Sequence, residues 1–272
     1  MSPTRSTAVA TLLALLAGRA PLCAAFESEA PGARLGLTVQ TFVYEEFNDR
    51  DLSLDREEAR LPGITGGLLY RPGRWLAGAE VRWHSGIADY TSPGIDSKTD
   101  EAILDLELLG GTRLFSGENQ RLFLIAGIGY RRWHRDIRST PAAMGQDERY
   151  CWSYGLLGLR GEHTFGRDTR LVGEFYGIRG IRPTLEARFP RGYDDAELDL
   201  GATQGLRLTL QRVLAPTITL WATPWYEHWE IGHSDVHTLY SQGAPVGTVF
   251  EPHSETDSYG LDLGVSWRFG GA

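Results

Sequence analysis

The segment that most constrains this chain is residues 259–269, in which apolar and polar residues alternate at every position. Its apolar set is Tyr259, Leu261, Leu263, Val265, Trp267 and Phe269, and its polar set is Gly260, Asp262, Gly264, Ser266 and Arg268. Successive side chains of a β-strand point to opposite faces, so this pattern predicts a strand with one wholly apolar face. Such a face must be covered by a hydrophobic core or by lipid.

The other end of the chain predicts export. An apolar run from Ala8 to Ala17 follows Arg5, and Cys23-Ala24-Ala25 supplies the small residues at which a secretory signal is cut. We therefore expect residues 1–25 to be a signal peptide of the Sec pathway and residues 26–272 to form one domain. The mature chain would keep a single cysteine, so an internal disulfide is excluded.

Alternating segments recur between the two ends, and the separators are alternately short and long. Arg71-Pro72-Gly73-Arg74 and Ser116-Gly117-Glu118-Asn119 are short turns, whereas residues 46–60, 183–196 and 232–256 are long separators. The pattern predicts an all-β fold, a transmembrane antiparallel up-and-down β-barrel of about ten strands, with eight or twelve as alternatives. A soluble barrel is the competing fold, but it would carry charge on its outer face, and one face of the segments at 75–88 and 102–115 is almost free of charge.

Composition agrees with a barrel in the outer membrane. The mean hydropathy of −0.26 is low because alternating strands average their hydropathy. The net charge of −8 argues against nucleic acid as a partner. Eight tryptophans suit aromatic belts at the two membrane interfaces.

These features resemble the bacterial outer-membrane β-barrel proteins. Tyr259, Trp267 and Phe269 are similar to the terminal signal read by the barrel assembly machinery, although Gly270-Gly271-Ala272 follows where the family usually stops. The resemblance implies a protein of the Gram-negative outer membrane, in contact with outer-membrane lipid and lipopolysaccharide. We expect a monomer, because a closed barrel has no edge strand to pair. The strand number is similar to that of the omptins, which are proteases with paired acids and an Asp-His couple at the extracellular rim. Their catalytic pattern is not matched, because Asp194-Asp195 has no histidine near it.

Charged residues at alternate positions predict a charged lumen. The set is Glu80, Arg82, Asp105, Glu107, Arg113, Arg131, Arg135, Glu174, Asp199, Arg207, Asp262 and Arg268. It could line a conduit, or it could form cross-strand ion pairs that fill a narrow lumen. We favour a filled lumen, since a ten-stranded barrel is only slightly wider than the eight-stranded kind whose interior side chains occupy.

The sequence leaves the role of the barrel open. We expect a non-enzymatic protein without cofactor or metal, with a structural, adhesive or small-solute passage role. The alternative is a hydrolase acting on protein or on lipid A, with a site at the extracellular rim formed by His84, Asp89, His233, Ser234 and Asp235. Two further expectations are a solvated acidic loop at residues 45–58 and contacts of Arg132 and Trp133 with lipopolysaccharide.

Overall fold

The computed structural model describes residues 29–48, 50–165, 169–190, 192–201, 203–214 and 218–269, and the predicted signal peptide lies outside this part of the chain. The described part holds no helix long and apolar enough to cross a membrane. It forms strands β1 (Glu29–Phe47), β2 (Ser53–Arg71), β3 (Trp75–Ser92), β4 (Ile95–Ser116), β5 (Gln120–Ile137), β6 (Gln146–Phe165), β7 (Thr169–Arg188), β8 (Ala196–Asp199), β9 (Thr203–Leu214), β10 (Ile218–Ile231), β11 (His237–Ser241), β12 (Ala244–Val249) and β13 (His253–Arg268).

The strand pairings form a ring. Antiparallel pairing leads from β1 through β7 to β9, β10 and β13, and β13 pairs back with β1 from Gly32↔Arg268 to Phe47↔His253. The short strand β8 pairs with the upper part of β7 and β9 pairs with its lower part, so these two strands share one place in the wall. The wall therefore has ten places, which confirms the predicted all-β, up-and-down antiparallel barrel.

The strands are about twice as long as a bilayer requires. Strands β2 to β7 have 18 to 22 residues, whereas about ten residues cross the hydrocarbon. On the outward face the apolar band ends at exposed charges such as Glu58, Asp89 and Arg132. Three to five residues of each of these strands, roughly 10–17 Å, lie above the charges and stand outside the membrane.

Two short turns mark the end of the barrel where the first and last strands meet. The turn after Arg71 is closed by a hydrogen bond from the Trp75 amide to the Pro72 carbonyl at 3.2 Å, and Gly73 takes a positive φ of 64°. The turn after Ser116 is closed by the Gly117 amide and the Gln120 carbonyl at 2.8 Å. Both turns follow the prediction and fix the periplasmic end, so the longer connections are extracellular.

The extracellular half differs from the sequence prediction. β2 begins at Ser53 instead of near Leu61, so most of the expected acidic loop at 45–58 is strand. The long separator at 232–256 contains the β11–β12 hairpin, and the chain after residue 196 forms two separate strands, β8 and β9. Above the membrane neither face of a strand meets lipid, so the apolar alternation that reveals a strand is lost there.

Candidate functional site

The lumen contains most of the charged residues predicted for it. Glu80, Arg82, Asp105, Glu107, Arg131, Arg135, Glu174 and Asp262 lie on the inward face and are buried or half-buried, and Arg113 is half-buried. Arg268 has the inward parity but is exposed at the periplasmic mouth. The Arg207 side chain lies outside the described residues.

The prediction that Asp199 faces the lumen was wrong. Asp199 is exposed, whereas its neighbours Leu198 and Leu200 are buried in the core. The reason is the interruption between β8 and β9, which uncouples the facing of β8 from the pattern in β9.

The lowest layer of lumenal side chains is an ion-pair network near the periplasmic mouth. Arg71 Nη1 lies 3.0 Å from Glu162 Oε2, and Arg160 Nε lies 2.8 Å from Glu162 Oε1. Arg160 also pairs with Glu174. A cavity of about 110 Å³ remains beside this network, lined in part by Arg160 and Glu174.

Two further layers cross the lumen at the level of the membrane. In the first, Arg34 pairs with Glu80, and Arg82 lies 3.5 Å from Asp262 and 4.7 Å above the Trp225 ring. The cavity at this level has a volume of about 20 Å³, roughly that of one water molecule.

The second membrane-level layer is centred on Arg131. Its guanidinium pairs with Asp105 and Glu227 and lies 4.7 Å from the Trp229 ring, whose Nε1 donates to Glu227 at 2.6 Å. The space between this layer and the aromatic side chains above it is again about 20 Å³. Paired charges and aromatic rings therefore occupy the lumen at these two levels.

The top of the lumen holds a different arrangement, which we call the mouth cluster. One guanidinium, that of Arg135, lies among the carboxylates of Glu148 at 2.8 Å, Glu57 at 3.2 Å, Glu46 at 3.7 Å and Glu101 at 3.8 Å. The cluster also contains Asp55, Glu251, Tyr44 and Tyr150. Arg135 is fully buried, and the Tyr44 ring centroid lies 4.3 Å from its guanidinium carbon.

Carboxylates outnumber the cation in the mouth cluster, and some of their oxygens are unsatisfied. Glu57 Oε2, Glu101 Oε1 and Asp55 Oδ1 are buried without a hydrogen-bond partner among the described residues. Burial raises the pKa of Glu101 and of Glu148, and the neighbouring Glu57 carboxylate adds to the rise in both. The cluster therefore favours the protonated form of these carboxyl groups.

Residues 232–252, which we call the cap, cover the mouth cluster. Glu251 Oε1 accepts hydrogen bonds from the Tyr150 hydroxyl at 2.7 Å and the Tyr44 hydroxyl at 3.1 Å. The Ser234 amide donates to the Glu251 carbonyl at 3.0 Å, and the Glu251 amide donates to Ser234 Oγ at 2.8 Å. The Glu251 side chain thus reaches from the cap into the barrel. Its backbone is bonded to Ser234, so the segments that precede and follow the hairpin are joined at this point.

The hydrolase residues proposed from sequence are not brought together. His84 points into the lumen, where its Nε2 lies 3.1 Å from Thr38 Oγ1, whereas Asp89 is exposed on the opposite face of β3 and pairs with Lys98. Residues five apart on a strand face opposite sides, so this pair was wrong on parity.

The second half of the proposed hydrolase site lies in the cap. The Ser234 hydroxyl donates to the Asp235 carbonyl, and the His233 ring lies 6.3 Å from the His253 ring. Within the described residues, no hydrogen bond links His233 to Ser234 or Asp235. The three side chains are neighbours in sequence without forming a catalytic relay.

Other sequence expectations have mixed outcomes. Trp133 is buried and donates to Glu101, so it cannot reach lipopolysaccharide, while Arg132 is exposed as expected. Tyr259, Trp267 and Phe269 are exposed on the outward face, as an apolar terminal strand requires. Within the described residues, no group of three or more His, Cys, Asp or Glu side chains is arranged to hold a metal ion.

Comparison with solved structures agrees with this architecture. The outer membrane protease OmpT from Escherichia coli superposes with a TM-score of 0.68 at 13% identity, covering 91% of this chain and 99% of OmpT. The translocator domain of the autotransporter NalP from Neisseria meningitidis matches with a TM-score of 0.44 at 13% identity, covering 88% and 89% of the two chains. No protein-family model and no curated relative matches the sequence.

The chain has the fold of a bacterial outer-membrane β-barrel protein. At 13% identity the likeness to OmpT concerns the fold alone. The mouth cluster is what sequence reasoning missed. Tyr44, Glu57, Glu101, Glu148 and Glu251 carry no local motif, and only the parity of their strands with Arg135 could have placed the strand residues inward.

Proposed function

We propose that this protein is a non-conducting outer-membrane barrel that acts at its extracellular end. The observation that carries the proposal is the stack of side-chain layers across the lumen, with cavities of only about 20 Å³ at the membrane level. A hydrated ion needs a continuous path much wider than a single water site. Small-solute passage is therefore the least favoured of the three roles expected from the sequence.

The energetics of the layers support a permanent closure. Opening a path through the Arg131 layer would separate its guanidinium from Asp105 and Glu227, which are all buried. Leaving one partner of a buried ion pair unpaired costs about 3–5 kcal/mol. Thermal fluctuation would populate such a state at well below one per cent.

Single-channel recording in a planar bilayer tests closure. We expect the refolded wild-type protein, checked for heat-modifiable migration, to give no conductance steps. Arg131→Ala combined with Trp229→Ala removes the two largest side chains of one layer and is expected to raise the background leak. Arg132→Ala, on the outward face of the same strand, is the matched control and should stay silent. Regular steps from the wild type would refute closure.

A specific observation favours an adhesive role for the extracellular end. The β11–β12 hairpin carries exposed Tyr240 and Val246, and Val236 and Phe250 are exposed on either side of it. Exposed apolar side chains held clear of the membrane are typical of contact surfaces. The hairpin pairs with the rest of the described wall by a single bridge, Tyr193↔Ser241, so its backbone edges are largely open.

Attachment of cells to polystyrene beads tests the adhesive role. Cells that display the protein are expected to attach several-fold more than cells that display a variant with Val236, Tyr240, Val246 and Phe250 changed to serine. A variant with Leu157→Ser and Leu263→Ser, exposed residues at the membrane level, is the control for general apolar loss. Equal attachment by the wild type and the hairpin variant, at equal surface levels, would contradict adhesion through the hairpin.

A further inference from the structure

We propose that the carboxyl group of Glu251 is a proton-dependent latch, which holds the cap on the barrel mouth when protonated and weakens that hold when ionised. The inference concerns the position of the cap alone. It stands whether or not the hairpin inside the cap is adhesive, because it rests on the contacts beneath the cap.

Both the side chain and the backbone of Glu251 are fixed by hydrogen bonds. The residue is 4% exposed, and its Oε1 lies 2.7 Å from the Tyr150 hydroxyl and 3.1 Å from the Tyr44 hydroxyl, whose one hydrogen is shared with Glu46. Its backbone amide and carbonyl are bonded to Ser234 on the other arm of the cap. Movement of this carboxyl out of the mouth would therefore take residues 234 and 251 with it, together with the hairpin between them.

The surroundings of Glu251 oppose its ionisation. The groups that act directly on Glu251 are Tyr44 and Glu46 from β1, Arg135 from β5, and Glu148 and Tyr150 from β6. Around them, beside Arg135, Glu46 or Asp55, lie Asp55 and Glu57 from β2, Tyr90 from β3 and Glu101 from β4. The cap contributes His233, an exposed side chain whose ring lies 6.3 Å from that of His253. Arg135 is the only permanent cation in this list, and it already contacts four other carboxylates.

The direction of the pH effect follows from linkage. Burial raises the pKa of Glu251 to about 8 from an ordinary value of 4.5, with the Glu148 carboxylate adding to the rise and Arg135 and the two phenols opposing it. The docked cap therefore binds a proton more tightly than the released cap. Docking is strongest below the ordinary value and weakens as pH rises, and the loss is complete above the raised value. Between pH 7 and pH 9 the docking constant should fall about tenfold.

Hydrogen exchange of the full-length refolded protein, read by mass spectrometry on peptides spanning residues 232–252, measures this docking. Rates at pH 7 and pH 9 are corrected for the intrinsic pH dependence of amide exchange and referenced to peptides of β13. We expect protection of the cap to fall about tenfold in the wild type.

Glu251→Gln is the decisive variant, because the amide oxygen still accepts the two phenolic hydrogen bonds but cannot ionise. Its cap protection should change less than twofold between pH 7 and pH 9. Asp235→Asn removes an exposed carboxylate from the same loop and should behave as the wild type. A wild-type cap with equal protection at both pH values, or a Glu251→Gln variant with the wild-type pH response, would overturn the latch.

A second variant covers the case in which Glu251→Gln does not refold. Tyr150→Phe removes the 2.7 Å donor to Glu251 Oε1 and leaves the carboxyl in place. It should lower the exchange protection of the cap several-fold at pH 7. The fall in protection between pH 7 and pH 9 should then be smaller than in the wild type. Unchanged protection in this variant would equally overturn the latch.

Discussion

The lower lumen and the mouth cluster are both filled with buried charge, but they balance it differently. In the lower layers each arginine lies beside one or two carboxylates: Arg34 beside one, and Arg82 and Arg131 beside two each. In the mouth cluster, six carboxylates, those of Glu46, Asp55, Glu57, Glu101, Glu148 and Glu251, surround Arg135. The lower lumen thus balances its carboxylates with arginines, whereas in the mouth cluster burial raises the pKa of five of the six carboxyls, those of Glu46, Asp55, Glu101, Glu148 and Glu251, and so favours bound protons.

Arg135→Ala should give the largest effect. It leaves the buried carboxylates of the mouth cluster without their cation, and removing one partner of a buried pair typically costs about 3–5 kcal/mol. We expect at least this loss in the free energy of unfolding at pH 8, and a smaller loss at pH 5, where protons replace the cation. Urea unfolding in detergent micelles measures both. As a control, Arg138→Ala, which breaks an exposed pair with Asp100, should leave the unfolding midpoint unchanged.

Arg131→Met tests the balanced layer in the same way. A loss of about 3 kcal/mol is expected, because Asp105 and Glu227 lose their shared partner. This loss should vary little between pH 6 and pH 9, in contrast to that of Arg135→Ala. If urea titrations show that the loss in unfolding free energy changes with pH equally in Arg131→Met and Arg135→Ala, the two regions do not balance their charge differently.

Glu101→Gln should stabilise the barrel at alkaline pH. Burial and Glu57 raise the pKa of Glu101, so its folded-state pKa exceeds the unfolded value and its contribution to stability is lost as pH rises. The amide keeps an oxygen for the Trp133 indole hydrogen. We expect a gain of roughly 1–2 kcal/mol at pH 9 and none at pH 5, read from the urea midpoint. Destabilisation at pH 9 would show that the charged carboxylate is required.

His233→Ala and Asp235→Ala should have the smallest effect. Both side chains are exposed in the cap, and surface substitutions of this kind usually stay within about 0.5 kcal/mol. Neither change should alter hydrolysis of a peptide or of a lipid A ester, measured against buffer. An activity present in the wild type and abolished by either substitution would revive the hydrolase alternative.

The sequence predicted the membrane half of the barrel well and the extracellular half poorly. The alternation in 75–83 and in 259–269 places residues correctly because lipid accepts only apolar side chains on that face. Above the membrane, Ser53 to Glu58 form a strand in which both faces are polar, and no hydropathy pattern marks it. The mouth cluster draws on β1, β2, β4, β5, β6 and the cap, so only the three-dimensional register brings its members together.

The seam between β1 and β13 has a consequence for assembly. Its paired residues, from Gly32 and Arg268 to Phe47 and His253, lie more than two hundred positions apart in the chain. Contacts of such long range form late, and before they form, both strands present open backbone edges that hydrocarbon cannot satisfy. The pairing of β13 with β1 is therefore the step that seals the cylinder, and the open edges of both strands must be sheltered from lipid until that pairing forms.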